Sequence, residues 1–364
     1  MPDAGRYHRL QLLFALAGLA ITVAYLLALL STGGAHALGR GAAALTDRAA
    51  GRVALVAAAL ALGHRALTLP VAWARGFWLP RRFGLLHQPL GAWLVERAKA
   101  ALLAGALGLV AIEVIYALLA VTRLWWLAAA GVFFAGYVLL AAVVPVAVLP
   151  LFYRQVPLAD AALRERLLAL AHRAGVPAIG VFVADQSRKS RTANAAVVGL
   201  GPTRRIVLFD TLLARFTPDE IASVLAHELG HHVHGDVRRS LAAQGVLTLL
   251  TFGLADVLVR MAVAPLGLAG PADPAGMPWL ALVLLALGLA ALPLANGFSR
   301  RLERQADDFA VATTGNVAAF VGAMERLGEL NLAERRPHRL EEFVLYSHPA
   351  LERRIARAAR GGLA

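Results

Sequence analysis

The sequence predicts a mainly α protein with about six membrane-spanning helices. Between the fourth and fifth it predicts a folded α+β insertion containing a small β-hairpin. Three observations carry this prediction. Of 364 residues, 59% are hydrophobic and only 16% charged, whereas soluble domains average about 45–50% and about 25%. The apolar residues gather in runs near the ~20 residues that cross a bilayer as a helix. Charged residues gather in two other stretches, 151–239 and 297–364. This composition excludes a disordered chain and argues against an ordinary cytosolic enzyme.

The runs are 10–31, 52–74, 100–121, 125–150, 240–265 and 278–296. Trp73, Trp78, Trp125, Trp126 and Trp279 sit at or near their ends, where amphipathic rings favour the membrane interface. Arg6, Arg9 and an Ala35-His36-Ala37 site surround the first run in the manner of a signal peptide. Its apolar core is longer than the typical 7–15 residues, so it reads as an uncleaved span. The organisation expected is a membrane region over 1–150 with four spans, an insertion over 151–239, two spans over 240–296 and a C-terminal helical segment over 297–364.

The net charge of +13 comes from 36 basic and 23 acidic residues. Only Lys99 and Lys189 are lysines, and most arginines flank the apolar runs. That placement reads as membrane topology rather than a nucleic-acid surface, so the bilayer is an expected partner and nucleic acid is not. Segment 75–99 holds Arg75, Arg81, Arg82, Arg97 and Lys99 against Glu96, while 266–278 holds only Asp273 and the turn near Thr122 only Arg123. The positive-inside rule then places the N-terminus, 75–99, 151–239 and the C-terminal segment on the cytoplasmic side of the inner cell membrane. There is no cysteine, which excludes disulfides, thiolate zinc sites and cysteine nucleophiles. The sequence carries no signal for an oligomeric state.

The insertion has a legible order. An amphipathic helix around 159–174 precedes a short strand, Val181–Ala184. A hairpin follows, Ala195–Leu200 with Arg205–Phe209, joined by Gly201-Pro202-Thr203, which has turn composition. Thr217 then stands as an N-cap, with Pro218 first in the helix and Glu220 three residues after the cap, a capping box. Ile221, Val224, Leu225 and Leu229 share one apolar face of this helix.

That helix carries His227-Glu228-Leu229-Gly230-His231. Histidines at i and i+4 project from one face, roughly 5–6 Å apart at Cβ, a spacing that lets both imidazoles bind one tetrahedral zinc ion. Glu228 is placed to take a proton from a zinc-activated water and pass it to a leaving amine. Such a site takes a third protein ligand and keeps an open position. His232 and His234 are rotated away on the helix and read as solvated, or supporting at best. Glu303 and Asp307, at i and i+4 after the last run, share a face: one can bind metal and the other orient a histidine. On spacing alone, an acidic helix surface explains them equally well.

The set HELGH followed by N-x-x-S-R-x-x-E-x-x-A-D (Asn296 to Asp307) resembles the type I CAAX prenyl protease family, integral-membrane zinc metalloproteases related to HtpX-type proteases. Ser190–Leu213, the stretch from Arg82 through Trp93 to Lys99, and Ser347-His348-Pro349 with Arg354-Ile355 are similar to further segments of that family. The four motifs occur in the family's order over about residues 75–356, although family members can have more spans than the six seen here. The resemblance implies a zincin-like catalytic insertion and a metalloendopeptidase of the two-histidine-plus-glutamate type. It implies one zinc ion held by His227, His231 and Glu303, with Glu228 as general base and acid and Asp307 as a supporting carboxylate. His348 would hold substrate or the developing oxyanion, and Arg354 would pair with an acidic residue such as Asp307. Asn194 and Ala195 would begin an edge strand that binds substrate in extended form. The implied substrate is a peptide or membrane protein.

Arg65, Glu113, Asp256 and Arg260 lie inside apolar runs, where ionisable groups are costly and often line a wet cavity; Asp256 and Arg260, at i and i+4, can neutralise each other. Two other readings exist. A site-2-type intramembrane protease would bury HExxH in a span, yet Asp219, Glu220, Asp236, Arg238 and Arg239 flank it here. An inactive membrane scaffold or chaperone of the same fold would have lost a ligand or the base, and all are present.

Overall fold

Described by a computed structural model over residues 4–199 and 204–361, the chain begins with α1 (Ala4–Ser31) and the short α2 (Gly34–Leu45). The helix α3 (Ala49–Arg82) runs on beyond Pro70 through a π-helical turn at Ala74–Trp78. Then come α4 (Leu90–Val121) and α5 (Trp125–Val143), the latter continued by a second π turn at Val144–Val148. Among the described residues six helices are long and apolar enough to cross a membrane: these four long ones and the two described below.

The helices overrun the apolar runs. Segment 75–99, which its charge and its place between two apolar runs mark as a connecting loop, is mostly helical: only residues 83–89 are irregular, between the end of α3 and the start of α4 at its Pro89 cap. The 32–51 connection contains α2. Hydropathy marks the lipid-immersed part of a helix, whereas the helix itself continues until a breaker stops it.

The membrane helices pack around Val56, Ile115, Tyr116, Trp125, Ala129 and Phe252. Asp256 accepts a hydrogen bond from Trp125 Nε1 at 2.5 Å and pairs with Arg260 at 2.7 Å, which satisfies both charges at low cost. Arg65 is exposed on α3 and Glu113 half-buried on α4; neither has an ion pair among the described residues.

The insertion forms a four-stranded sheet in the order β1-β2-β4-β3. Strand β1 (Gln155–Pro157) pairs antiparallel with β2 (Val181–Ala184), β2 runs parallel to β4 (Arg205–Phe209), and β3 (Ala195–Val198) pairs antiparallel with β4. The hairpin expected from the sequence is present, with β3 ending at Val198; its turn at Gly201-Pro202-Thr203 lies outside the described residues. The crossover from β2 to β4 through the sheet edge is a long-range pairing that local composition does not encode.

Helix α6 (Ala161–Arg173) lies between β1 and β2, N-capped by Asp160, which accepts from Leu163 N at 3.0 Å. Helix α7 (Pro218–Val233) carries the HELGH motif, and α8 (Asp236–Ala262) and α9 (Met277–Thr314) follow. The last helices are α10 (Val317–Leu330), α11 (Arg339–Leu345) and α12 (Leu351–Ala359). One hydrophobic core joins Leu167 of α6, Ile206 and Leu208 of β4 and Leu225 and Leu229 of α7 to Ala310 of α9 and Phe320 of α10. Each such large apolar side chain contributes about 1.5–3 kcal/mol on burial. This shared core fixes α7 against the part of α9 that extends past the last apolar run.

Candidate metal centre

Helix α7 starts where its cap dictates. Thr217 Oγ1 accepts from Glu220 N at 3.3 Å, and Glu220 Oε2 accepts from Thr217 N at 2.8 Å. Two otherwise unpaired backbone donors are thereby satisfied. Ten residues into the helix the buried apolar face gives way to the histidine pair, whose rings lie 4.9 Å apart at 88°.

The glycine inside HELGH brings α9 close. A Cβ at Gly230 would stand 3.1 Å from Ala306 Cα and 3.2 Å from Phe309 Cδ1, tight enough that α9 would have to give way by a few tenths of an ångström. This approach sets Glu303 against both histidines: His227 Nε2 is 3.3 Å from Glu303 Oε2, and His231 Nε2 is 3.5 Å from Glu303 Oε1. One donor atom from each of the three residues falls within 4.8 Å of the others.

The remaining ring nitrogens are braced by carboxylates. Asp307 Oδ1 lies 2.9 Å from His227 Nδ1, and Asp236 Oδ2 lies 2.9 Å from His231 Nδ1. Both aspartates are buried, at 3% and 4% exposure. In the neutral, ligating form each Nδ1 donates to its aspartate, which leaves the Nε2 lone pair facing Glu303. Glu303 Oε2 is buried and makes no hydrogen bond. Two imidazole lone pairs and an unbonded carboxylate oxygen converging on one point form a donor set that fits a divalent cation of the zinc type.

Without a cation, burial works against charge on His227, but the neighbouring carboxylates of Asp307 and Glu303 outweigh it and raise its pKa to about 9. A metal binding there displaces that proton. Glu228, half-buried beside the pair, has its carboxyl raised by burial, with His227 and His231 acting in the opposite direction.

Arg354 comes from α12. Its Nε and Nη2 donate to the two oxygens of Asp307 at 2.9 and 2.6 Å, a bidentate pair that fixes the carboxylate plane. His348 lies in the turn before α12 with Nε2 3.2 Å from Glu303 Oε1, and its side chain is 56% exposed. It stands at the open side of the centre. A cavity of about 480 Å³ adjoins it, bordered by Asn194, Phe209, Met324, Leu327, His348 and Arg354.

Strand β3 is one of the two edge strands of the sheet. Phe209 N donates to Asn194 O at 3.0 Å, so with the register of this pair Asn194 and Ala196 turn their backbone groups toward β4. Ala195 and Val197 therefore turn theirs outward. The Ala195 N–H meets its neighbour's Asn194 Oδ1 at 2.9 Å.

Two features differ from the sequence reading or were absent from it. His232, read as solvated or supporting at best, is half-buried and has the supporting role: its Nε2 is 3.3 Å from Val197 O, and burial lowers its pKa, so a neutral ring donates to the edge strand and ties β3 to α7. His234 is exposed and bonds Gly230 O at 2.8 Å. Asp236, read only as a flanking charge, orients His231. Its signal in the sequence is the Gly235-Asp236 pair: Gly235 adopts φ 68°, a left-handed turn open to glycine, which folds the start of α8 back onto the histidine.

Comparison with known proteins points to a family of membrane metalloproteases. Residues 157–360 match the model of peptidase family M48, and residues 2–154 match that of the CAAX prenyl protease N-terminal region, described as five membrane helices. Within that second stretch, four described helices are long and apolar enough to span. The chain is 30% identical over 299 residues to the metalloprotease YhfN of Bacillus subtilis, described as uncharacterized, covering 81% of this chain and 70% of YhfN. It is 33% identical over 196 residues to CAAX prenyl protease 1 of Saccharomyces cerevisiae, covering 53% of this chain but only 43% of that one. The crystal structure of S. mikatae Ste24p superimposes with a TM-score of 0.86 at 25% identity, covering 98% of this chain and 88% of that structure.

Proposed function

Because the chain belongs to peptidase family M48 and is a multi-pass membrane metalloprotease of that family, we propose that it is a zinc endopeptidase hydrolysing peptide bonds of membrane-associated proteins or peptides. The observation that carries this reading is the convergence of His227 Nε2, His231 Nε2 and the unbonded Glu303 Oε2, with a carboxylate on the far nitrogen of each ring.

His227, His231 and Glu303 hold the ion. Zinc, when bound, supplies Lewis acidity that lowers the pKa of water toward about 7 and polarises a carbonyl. Glu228 takes the proton of the attacking water and delivers it to the leaving amine nitrogen; its raised pKa suits a group that must both accept and return a proton. His348, exposed at the mouth of the centre, donates from Nε2 to the carbonyl oxygen as negative charge develops there. Asp307, held by Arg354, and Asp236 keep both histidines in the ligating tautomer. The substrate adds as an extended strand to β3 at Asn194 and Ala195, its backbone taking the place of Asn194 Oδ1 at the Ala195 N–H and of His232 at Val197 O, with the adjoining cavity receiving its side chains. The excess of basic residues in 75–99 supports a catalytic face turned to the cytoplasm of the cell membrane.

Purified protein in proteoliposomes tests this reading with a membrane-tethered fluorogenic peptide. Stripping with 1,10-phenanthroline should abolish cleavage and one equivalent of zinc per chain should restore it. Cleavage that survives complete removal of metal would overturn the assignment.

A further inference from the structure

In the motif Asn296-x-x-Ser299-Arg300-x-x-Glu303, Asn296 and Arg300 neither hold metal nor touch the histidines. Asn296, Arg300, Glu303 and Asp307 follow one another at intervals of four, three and four residues on α9, so they form a single stripe along one helix face. The lower half of the stripe serves the metal centre. The upper half meets the end of α11.

At the end of α11 Glu342 O accepts from Tyr346 N at 3.3 Å, the carbonyls after it lie beyond the reach of the helix's own donors, and the stripe supplies donors to both. Arg300 Nη1 donates to Glu342 O at 2.8 Å, Phe343 O at 3.3 Å and Tyr346 O at 2.6 Å. Asn296 Nδ2 donates to Val344 O at 2.7 Å. Two further contacts close the segment: Glu342 Oε1 accepts from Ala350 N at 3.0 Å, and the Tyr346 hydroxyl bonds His8 of α1. Residues 342–350 are thus clamped at both ends, and His348, whose Nδ1 meets Ser347 Oγ at 2.9 Å, is the side chain they present toward Glu303.

We infer that Arg300, assisted by Asn296, is a positioning residue for His348: it holds the α11–α12 connection so that the His348 imidazole stands at the reacting carbonyl. The physical basis is that His348 is mostly exposed and has little packing of its own to fix it. A charged guanidinium bonded to three carbonyls gives strong directional anchoring. It springs from the same helix as the ligand Glu303, one turn away, so ligand and oxyanion donor share one rigid frame. The inference rests on the catalytic role given to His348 above.

Two measurements test it on the full-length, zinc-loaded protein. In a kinetic cycle, Arg300→Ala should lower kcat by about 10- to 100-fold, the scale expected for small misplacement of a catalytic group, with KM and zinc content unchanged. Arg300→Lys should recover part of the loss. In the His348→Ala background Arg300→Ala should cost no further activity; losses that multiply would overturn the inference. Independently of activity, hydrogen–deuterium exchange of residues 342–350 should rise at least about tenfold in Arg300→Ala while 217–235 stays protected, and unchanged exchange in 342–350 would overturn it equally. Absence of zinc-dependent cleavage by the wild-type protein would instead refute the functional reading, and the exchange result would decide the clamp by itself.

Discussion

Asp236 Oδ2 lies 2.9 Å from His231 Nδ1, although Asp236 belongs to the first turn of the following helix rather than to the HELGH helix itself. Arg239 Nη1 donates to the other oxygen at 3.0 Å and to Gln305 Oε1 at 2.7 Å, linking the carboxylate back to α9. The centre is therefore symmetric in its support: each histidine has a buried aspartate, and each aspartate has an arginine.

Replacing Asp236 with alanine should weaken zinc binding by about 10- to 100-fold, the usual cost of losing an orienting carboxylate. Competition against a chromogenic chelator measures this directly. Affinity equal to the wild type would show that His231 needs no such partner.

Gly230 should not tolerate a side chain. With Ala306 Cα 3.1 Å from the position of an added Cβ, Gly230→Val forces α7 and α9 apart. A loss of about 1–3 kcal/mol is expected from overpacking, accompanied by reduced zinc content because Glu303 moves with α9. Thermal unfolding in detergent with metal analysis reads both; an unchanged midpoint would contradict the close approach.

The capping box is separable from the chemistry. Thr217→Ala removes the hydrogen bond to Glu220 N and should destabilise by about 0.5–2 kcal/mol, while zinc content and KM hold, since the cap lies ten residues from His227. A variant that lost zinc without losing stability would contradict this division.

Much of this was legible in the sequence because it is local. Membrane runs, the capping box, strand Val181–Ala184 and the i, i+4 histidines each depend on residues within a few turns of one another. What escaped depends on distant segments meeting. Strand β1 is three residues long and is defined by its partner β2. His232 looks like a spare histidine until Val197 is placed beside it. The pairing of Glu303 with the histidines is set by helix packing across a separation of 72 positions from His231, so spacing alone left an acidic surface equally open. Helix ends also escaped, since α3 and α9 continue past the apolar runs that betray them.

The most direct measurement compares Glu228→Gln with the wild type for zinc content and peptide cleavage in the same preparation. The substitution keeps the shape of the side chain and the three ligands while removing its capacity to accept a proton. Zinc should remain at one per chain while the cleavage rate falls by about 10²–10⁴-fold or more, the contribution expected of a general base. Wild-type cleavage by the zinc-loaded variant would contradict the role of Glu228.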